Sequence, residues 1–304
     1  MRILLLGANG QVGHELRSTL APLGELVVAT RSGQLADGAP CLAADLSDAE
    51  SLAKALADAD ADVIVNAAAY TAVDKAESEP LLAQRINAEA VGEIARWCAA
   101  NDRRLVHYST DYVFDGQGAG GGDSDGGRRP YREDDPTGPL GVYGQSKRAG
   151  ERAITDSGCD HLIFRTAWVY AAGHGHNFLR TMLRLGAERD ELRVVDDQIG
   201  SPTPASLIAS VTADAIRKPA AAGSYHLTTS GQTSWAGFAK RIFELAVANG
   251  LLAKQPAVVR IATSEYPTPA RRPGYSVLDG SRLAELRGQA TPDWEQSLLH
   301  ELGR

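Results

Sequence analysis

Tyr143 and Lys147 are four residues apart, and if a helix begins near Tyr143 they share one of its faces, a phenol beside an ammonium. A tyrosine ordinarily titrates near ~10, too high for easy proton exchange at neutral pH. A unit cation at ~4 Å, in an effective dielectric of ~20, is worth at most about 4 kcal/mol. At ~1.4 kcal/mol per pKa unit this would bring the phenol down roughly three units, into the range of a useful general acid. Thr110, at the end of an expected strand, supplies a hydroxyl to orient the same oxygen. Tyrosine and lysine fall four apart often by chance, so the pair gains weight only from the elements that would hold it.

Those elements follow a strand–helix rhythm. Residues 3–6 form a continuous apolar run, as a buried parallel strand requires. Gly7, Gly10 and Gly13 follow at G-x-x-G-x-x-G spacing, and a helical pattern then runs to Leu20. The glycines permit a tight turn, close backbone approach to a pyrophosphate and close helix–sheet packing, with the helix N-terminus facing the phosphates. Further strands are expected at 26–29, 41–44, 62–65, 105–108 and 161–166, with helices at 49–56 and 81–100. Arg31, with small hydroxyls beside it, suits the 2′-phosphate of NADPH, although an arginine at a strand end also serves as an ordinary surface residue. Asp45 either accepts from an adenine amino group or helps to start the next helix. Asn66-Ala67-Ala68-Ala69-Tyr70 leaves the fourth strand with small side chains, over which a cofactor ribose can lie on the backbone. His107 reads as a packed strand residue, because no second ligand stands at useful spacing.

Alternating elements of this kind predict an α/β fold, a Rossmann-type doubly wound parallel sheet with right-handed crossovers and ligands at the carboxyl ends of its strands. Gly7, Arg31, Asp45, Asn66 and Thr110 all fall at those ends, which raises Tyr143 and Lys147 above coincidence. After Trp168 the rhythm breaks. Helices at 177–185, 207–216 and 235–248 alternate with strands at 192–195, 225–227 and 258–261. The expected organisation is a dinucleotide-binding domain over 1–170, rejoined near 223–230, and a smaller C-terminal α/β substrate domain over most of 171–304. Arg271 and Arg272 either clamp phosphate oxygens or form surface ion pairs. Residues 116–127 hold seven glycines and invite a lid, with a surface insertion as the plainer reading.

Composition bounds the function. The 304 residues are 43% hydrophobic and 23% charged, with a formal net charge of −7, so neither nucleic acid nor a membrane surface has electrostatic support as a partner. The apolar N-terminal run stops at Gly7, too early for a signal peptide, and no stretch approaches the ~20 apolar residues of a membrane span. Cys41, Cys98 and Cys159 are scattered singly, a usage that suits a reducing, cytoplasmic compartment.

Together these motifs resemble the extended short-chain dehydrogenase/reductase family: the N-terminal glycine triplet, Asn66 to Ala69, Ser109-Thr110-Asp111 and Tyr143-x-x-x-Lys147. Within it they are most similar to the branch that reduces nucleotide-linked 4-keto-6-deoxy sugars. The carriers of that likeness are 66–74, 108–114, 164–170, 197–203 and 270–274. The resemblance implies NADPH or NADH as cofactor and a dTDP-4-keto-6-deoxy sugar as substrate, with Tyr143 as proton donor, Lys147 on the cofactor ribose and Thr110 on the reacting oxygen. It further implies cofactor contacts at Gly10, Gln11, Val12, Asp45, Leu46, Ala68, Ala69 and Tyr70, and substrate contacts at Asp111 and Trp168. Some members hold Mg²⁺ between the subunits of a homodimer through a glutamate that Ser206 replaces here. Tyr275 stands where an asparagine is common. An epimerase on the same scaffold and a cofactor-binding regulatory subunit remain open as alternatives.

Overall fold

The structure, a computed structural model, describes residues 1–120, 128–218 and 220–303. The strands taken up here are β1 (Arg2–Leu6), β2 (Glu25–Thr30), β3 (Leu42–Ala43), β4 (Val63–Asn66), β5 (Arg104–Thr110), β6 (His161–Thr166), β7 (Glu191–Val195), β8 (Gly223–His226) and β9 (Ala257–Ile261). Seven of them form one sheet in the order β8-β6-β5-β4-β1-β2-β3, every neighbour parallel. The chain order reverses on either side of β1, which opens a crevice at the carboxyl ends of β1 and β4.

The apolar run of β1 is explained by burial on both faces. Ile3 and Leu5 enter the core on one side of the sheet, Leu4 and Leu6 the core on the other, and all four are 0% exposed. Each such side chain stabilises the fold by about 1.5–3 kcal/mol. One layer contains α1 (Gln11–Leu20) and α6 (Ala205–Arg217), the latter returning from the second half of the chain. The other contains α2 (Ala49–Ala59), α3 (Ala90–Ala100) and α4 (Val142–Ser157). A third core gathers α5 (Phe178–Glu188), β7, α7 (Trp235–Ala248) and α8 (Trp294–Leu302). There β7 pairs in parallel with β9.

Two local expectations change. The helical pattern over 81–100 is divided: Pro80–Gln84 leads into a π turn at Arg85–Glu89 before α3 begins. The helix expected from Asn177 starts at Phe178, because Asn177 is its cap and accepts from the Arg180 amide at 3.0 Å. Residues 121–127, the centre of the glycine-rich stretch, lie outside the described residues. Among the described residues, no helix is long and apolar enough to cross a membrane.

Candidate active site

Gly7 leaves β1 at φ +79°, and a Cβ there would stand 2.6 Å from the Ala68 amide nitrogen and 2.8 Å from the Ala67 carbonyl carbon. A Cβ on Gly13 would stand 2.1 Å from the Gly7 carbonyl oxygen. Backbone thus packs on backbone where the β1 and β4 exits meet. Helix α1 begins at Gln11 with Gly10 as its N-cap and no side chain capping it, so the first amides of Gln11 and Val12 are free to bind an anion. The Gln11 side chain is held from outside by Asn177, whose amide donates to Gln11 Oε1 at 2.8 Å. This turn fits a dinucleotide pyrophosphate, and a side chain at Gly7 or Gly13 would push its backbone segments apart.

The neighbouring positions follow the carboxyl ends of β2, β3 and β4. Arg31 follows β2 and is exposed. The Thr30 hydroxyl beside it is committed to its own turn, donating to the Gln34 carbonyl at 2.9 Å. Asp45 does not cap the next helix, a role that falls to Asp48 through the Glu50 amide. Instead Asp45 Oδ1 accepts from the amide of Ser47 at 2.9 Å and its hydroxyl at 2.7 Å. Leu46 is buried. Tyr70 is gripped by Asn87 from the π turn, which accepts from the Tyr70 amide at 2.9 Å and donates to the Tyr70 carbonyl at 3.0 Å. Asn87 also donates to Ser146 Oγ on α4 at 3.1 Å. The π turn thereby joins the β4 exit to the helix that carries Tyr143 and Lys147.

Helix α4 contains both residues, as their spacing anticipates. Its first turn is fixed by Glu77, which accepts from the Val142 amide at 2.9 Å. Tyr143 is half-buried, packs edge-on against Tyr112 with ring centroids 5.6 Å apart, and lies beside Thr110. Burial pushes its phenol up to about 12, Thr110 pulls it back and Asp111 adds to the rise. The expected lowering by Lys147 is therefore absent from this geometry. Lys147 turns away, donating to the Tyr108 carbonyl at 2.6 Å with its Nζ 3.2 Å from His107 Nε2. Burial brings Lys147 itself down to about 8, against a smaller opposite pull from Glu151. Thr110 and Asp111 are buried beside Tyr143, the threonine hydroxyl donating to Asp111 Oδ1 at 3.0 Å. Burial pushes Asp111 up to about 6, while hydrogen bonds from Ser276 and Thr110 oppose the rise.

Beyond the end of β6, Trp168 takes the left-handed conformation at φ +48°, a strain of order 1–3 kcal/mol that the surroundings must hold in place. Its indole stacks on Trp235 with centroids 3.5 Å apart and planes 6° from parallel. Trp235, Phe178, Met182, Val194, Tyr266 and Arg272 line a cavity of about 780 Å³, a size typical of small-molecule sites. The expected arginine pair is divided. Arg271 is exposed, whereas Arg272 is engaged by Asp74, 3.1 Å from Oδ1 and 2.8 Å from Oδ2. Tyr275 is buried and donates to Gln232 Oε1 at 3.1 Å. Ser206 donates to Glu301, and among the described residues no group of three His, Cys, Asp or Glu is placed to hold a metal.

Sequence reading passed over Asn87, Glu77 and Asp74, whose partners lie far along the chain, and treated His107 as mere packing. A signal for His107 exists. Val106 and Tyr108 belong to one core and Leu105 to the other, so strand alternation turns His107 toward the α4 layer, where Lys147 lies.

The comparisons agree in direction. A family model described as the RmlD substrate binding domain matches residues 1–303. The dTDP-4-dehydrorhamnose reductase of Escherichia coli (strain K12) is 46% identical, the alignment covering 99% of this chain and 98% of that protein. Among solved structures, the dTDP-4-dehydrorhamnose reductase of Clostridium acetobutylicum superposes with a TM-score of 0.86 at 35% identity, covering 100% of this chain and 99% of the other. That of Bacillus anthracis, in complex with NADP, gives 0.85 at 33% identity over 99% and 98%.

Proposed function

The chain belongs to the dTDP-4-dehydrorhamnose reductase family, and on that premise we propose that it reduces the C4 keto group of dTDP-4-dehydro-L-rhamnose to give dTDP-L-rhamnose, with a nicotinamide cofactor as reductant. What supports this reading most is Tyr143 beside Thr110 at the end of β5, with a glycine turn and an uncapped helix start at the end of β1 in the same sheet. The cofactor, when bound, supplies a hydride. The chain's own residues do the rest. Gly7, Gly10, Gly13 and the free amides of Gln11 and Val12 hold the pyrophosphate, and the backbone of Ala67, Ala68, Ala69 and Tyr70 supports the ribose. Asp45 and Leu46 border the adenine. Thr110 orients the sugar oxygen, and Tyr143 gives its proton to the alkoxide that forms there. A phenol near 12 suits that direction of transfer, because it holds its proton until a stronger base appears beside it. Lys147, buried on the helix that carries Tyr143, holds the cofactor ribose. Asp111 and Trp168 bind the sugar with the exposed Arg271, and the 780 Å³ cavity beyond Trp235, which Arg272 helps to line, takes the nucleotide.

Arg31 favours NADPH over NADH. It stands exposed at the end of β2, where a charge-assisted contact with a 2′-phosphate is worth about 1.5–3 kcal/mol. Arg31→Ala is expected to raise KM for NADPH by about 10–100-fold and to leave KM for NADH near its starting value, as measured by initial rates with each cofactor. Equal effects on both would place Arg31 outside the cofactor site.

The function itself is tested by following NADPH consumption with dTDP-4-dehydro-L-rhamnose and identifying the sugar formed. Stoichiometric oxidation with dTDP-L-rhamnose as product supports the reading. Keto sugar returned without net oxidation would indicate an epimerase, and tight NADPH binding without turnover on any 4-keto sugar a regulatory subunit.

A further inference from the structure

We propose that Asn9 is a positioning residue for cofactor choice: its side-chain amide clasps the loop after β2 to the glycine turn after β1, and so holds Arg31 at the distance from the pyrophosphate that a 2′-phosphate requires. This rests on the reading of the glycine turn as the pyrophosphate site and of Arg31 as the contact that favours NADPH.

The clasp is a pair of hydrogen bonds in opposite senses. Asn9 Nδ2 donates to the Gln34 carbonyl at 3.0 Å, and Asn9 Oδ1 accepts from the Ala36 amide at 3.0 Å. The two backbone groups fix the polarity. A backbone N–H can only donate and a carbonyl can only accept, so one orientation of the asparagine amide satisfies both. Aspartate has the same shape but lacks the donor, and alanine lacks both groups. Among the described residues, Asn9 supplies the side-chain hydrogen bonds that join these two turns.

Both partners of the clasp are themselves held. Asn9 lies between Gly7 and Gly10, where the Gly10 amide donates to the Gly7 carbonyl at 2.9 Å. The amides of Gly7 and Ala8 donate to the Ala29 carbonyl at 3.0 and 3.1 Å, which ties the glycine turn to β2 just before the strand ends. On the other side the Thr30 hydroxyl grips Gln34 twice, accepting from its amide at 3.1 Å and donating to its carbonyl at 2.9 Å. The Cys41 amide donates to the Gly33 carbonyl at 2.9 Å. Arg31 and Ser32, both exposed, are therefore the tip of a short turn whose base is Gln34. That base is where Asn9 takes hold.

The cofactor explains why such a link matters. Its pyrophosphate and its adenosine ribose are covalently joined, so the groups that meet them must stand at a matching separation. NADH carries a hydroxyl at the ribose 2′ position, whereas NADPH carries a phosphate, whose charge-assisted contact weakens as the cation drifts away. The backbone bonds at Ala29 end before Arg31. Asn9 adds the constraint beyond it, and its loss falls on the contact that distinguishes the two cofactors.

Fluorescence titration with NADPH and with NADH, which needs no sugar, tests the proposal in two variants, each made with and without Arg31→Ala. Asn9→Ala removes both bonds from an exposed side chain. Ala36→Pro removes one and leaves Asn9 intact: the Gly38 amide donates to the Leu35 carbonyl at 2.9 Å, so residue 36 follows Leu35 in a β-turn, at the position that proline favours. Kd for NADPH is expected to rise about three- to tenfold in Asn9→Ala and about two- to fourfold in Ala36→Pro. Kd for NADH should stay within about twofold of wild type, and neither change should weaken NADPH further once Arg31 is alanine. Equal losses for both cofactors, a loss that persists in full without Arg31, or NADPH affinity unmoved in both variants would overturn the assignment. Wild-type protein that bound neither cofactor would overturn it together with the proposed function, whereas the expected pattern of affinities without reduction of the sugar would support Asn9 and count against the function alone.

Discussion

Replacing Tyr143 by phenylalanine is expected to lower kcat for reduction of the keto sugar by about 10²–10⁴-fold, or about 3–5 kcal/mol of barrier, while NADPH affinity stays near its wild-type value. Only one oxygen is removed. The ring retains its edge-on contact with Tyr112 at 5.6 Å. The start of α4 remains held by Glu77 at 2.9 Å and by Ser146, whose hydroxyl donates to the residue-143 carbonyl at 2.8 Å. What disappears is the proton donor beside Thr110. No other described side chain takes its place there: Lys147 is turned toward Tyr108 and His107, and Asp111 is held by Thr110. Fluorescence titration with NADPH separates the two effects. A variant that turns over within about tenfold of wild type would deny Tyr143 the role of acid.

The second large effect is expected at Gly7. Alanine there must adopt φ +79° and place its Cβ 2.6 Å from the Ala68 nitrogen and 2.8 Å from the Ala67 carbonyl carbon. Neither atom can yield easily, because the Ala67 amide is bonded to the Leu6 carbonyl at 3.0 Å and the Ala68 amide to Asn66 at 3.1 Å. Left-handed strain and overpacking together cost about 2–4 kcal/mol of stability. The displaced turn should also abolish measurable cofactor binding in whatever protein still folds. Chemical denaturation and NADPH titration of Gly7→Ala report these separately. A variant with wild-type stability and affinity would show that the turn does not depend on the close approach of Gly7 to the Ala67–Ala68 backbone.

Much of this was readable from local pattern. The apolar run of β1, the glycine spacing after it and the small residues leaving β4 are each set by short-range rules, so the sheet and the crevice could be anticipated. Tyr143 and Lys147 were found by helical spacing together with the strand ends expected to face them. The electrostatics of the pair were not, because burial acts through the whole fold and pushes Tyr143 up, and because Lys147 takes its partners from β5 rather than from its own helix. Arg272 reads as half of a phosphate clamp until its partner Asp74, 198 residues away, is seen beside it. The π turn at Arg85–Glu89 leaves no local mark in an otherwise helical pattern, yet it presents Asn87 to both Tyr70 and Ser146. Helix Ala205–Arg217 returns to pack on the first sheet for a reason equally remote in sequence, its apolar face completing the core beside α1.

The central claim is that hydride reaches sugar C4 while Tyr143 supplies the proton. Reduction with cofactor deuterated at nicotinamide C4, followed by NMR of the sugar, tests it most directly. Deuterium at C4 of the product, with cofactor oxidised in equal amount and both lost in Tyr143→Phe, is the predicted result. A keto sugar recovered without deuterium and without net oxidation of the cofactor would contradict it.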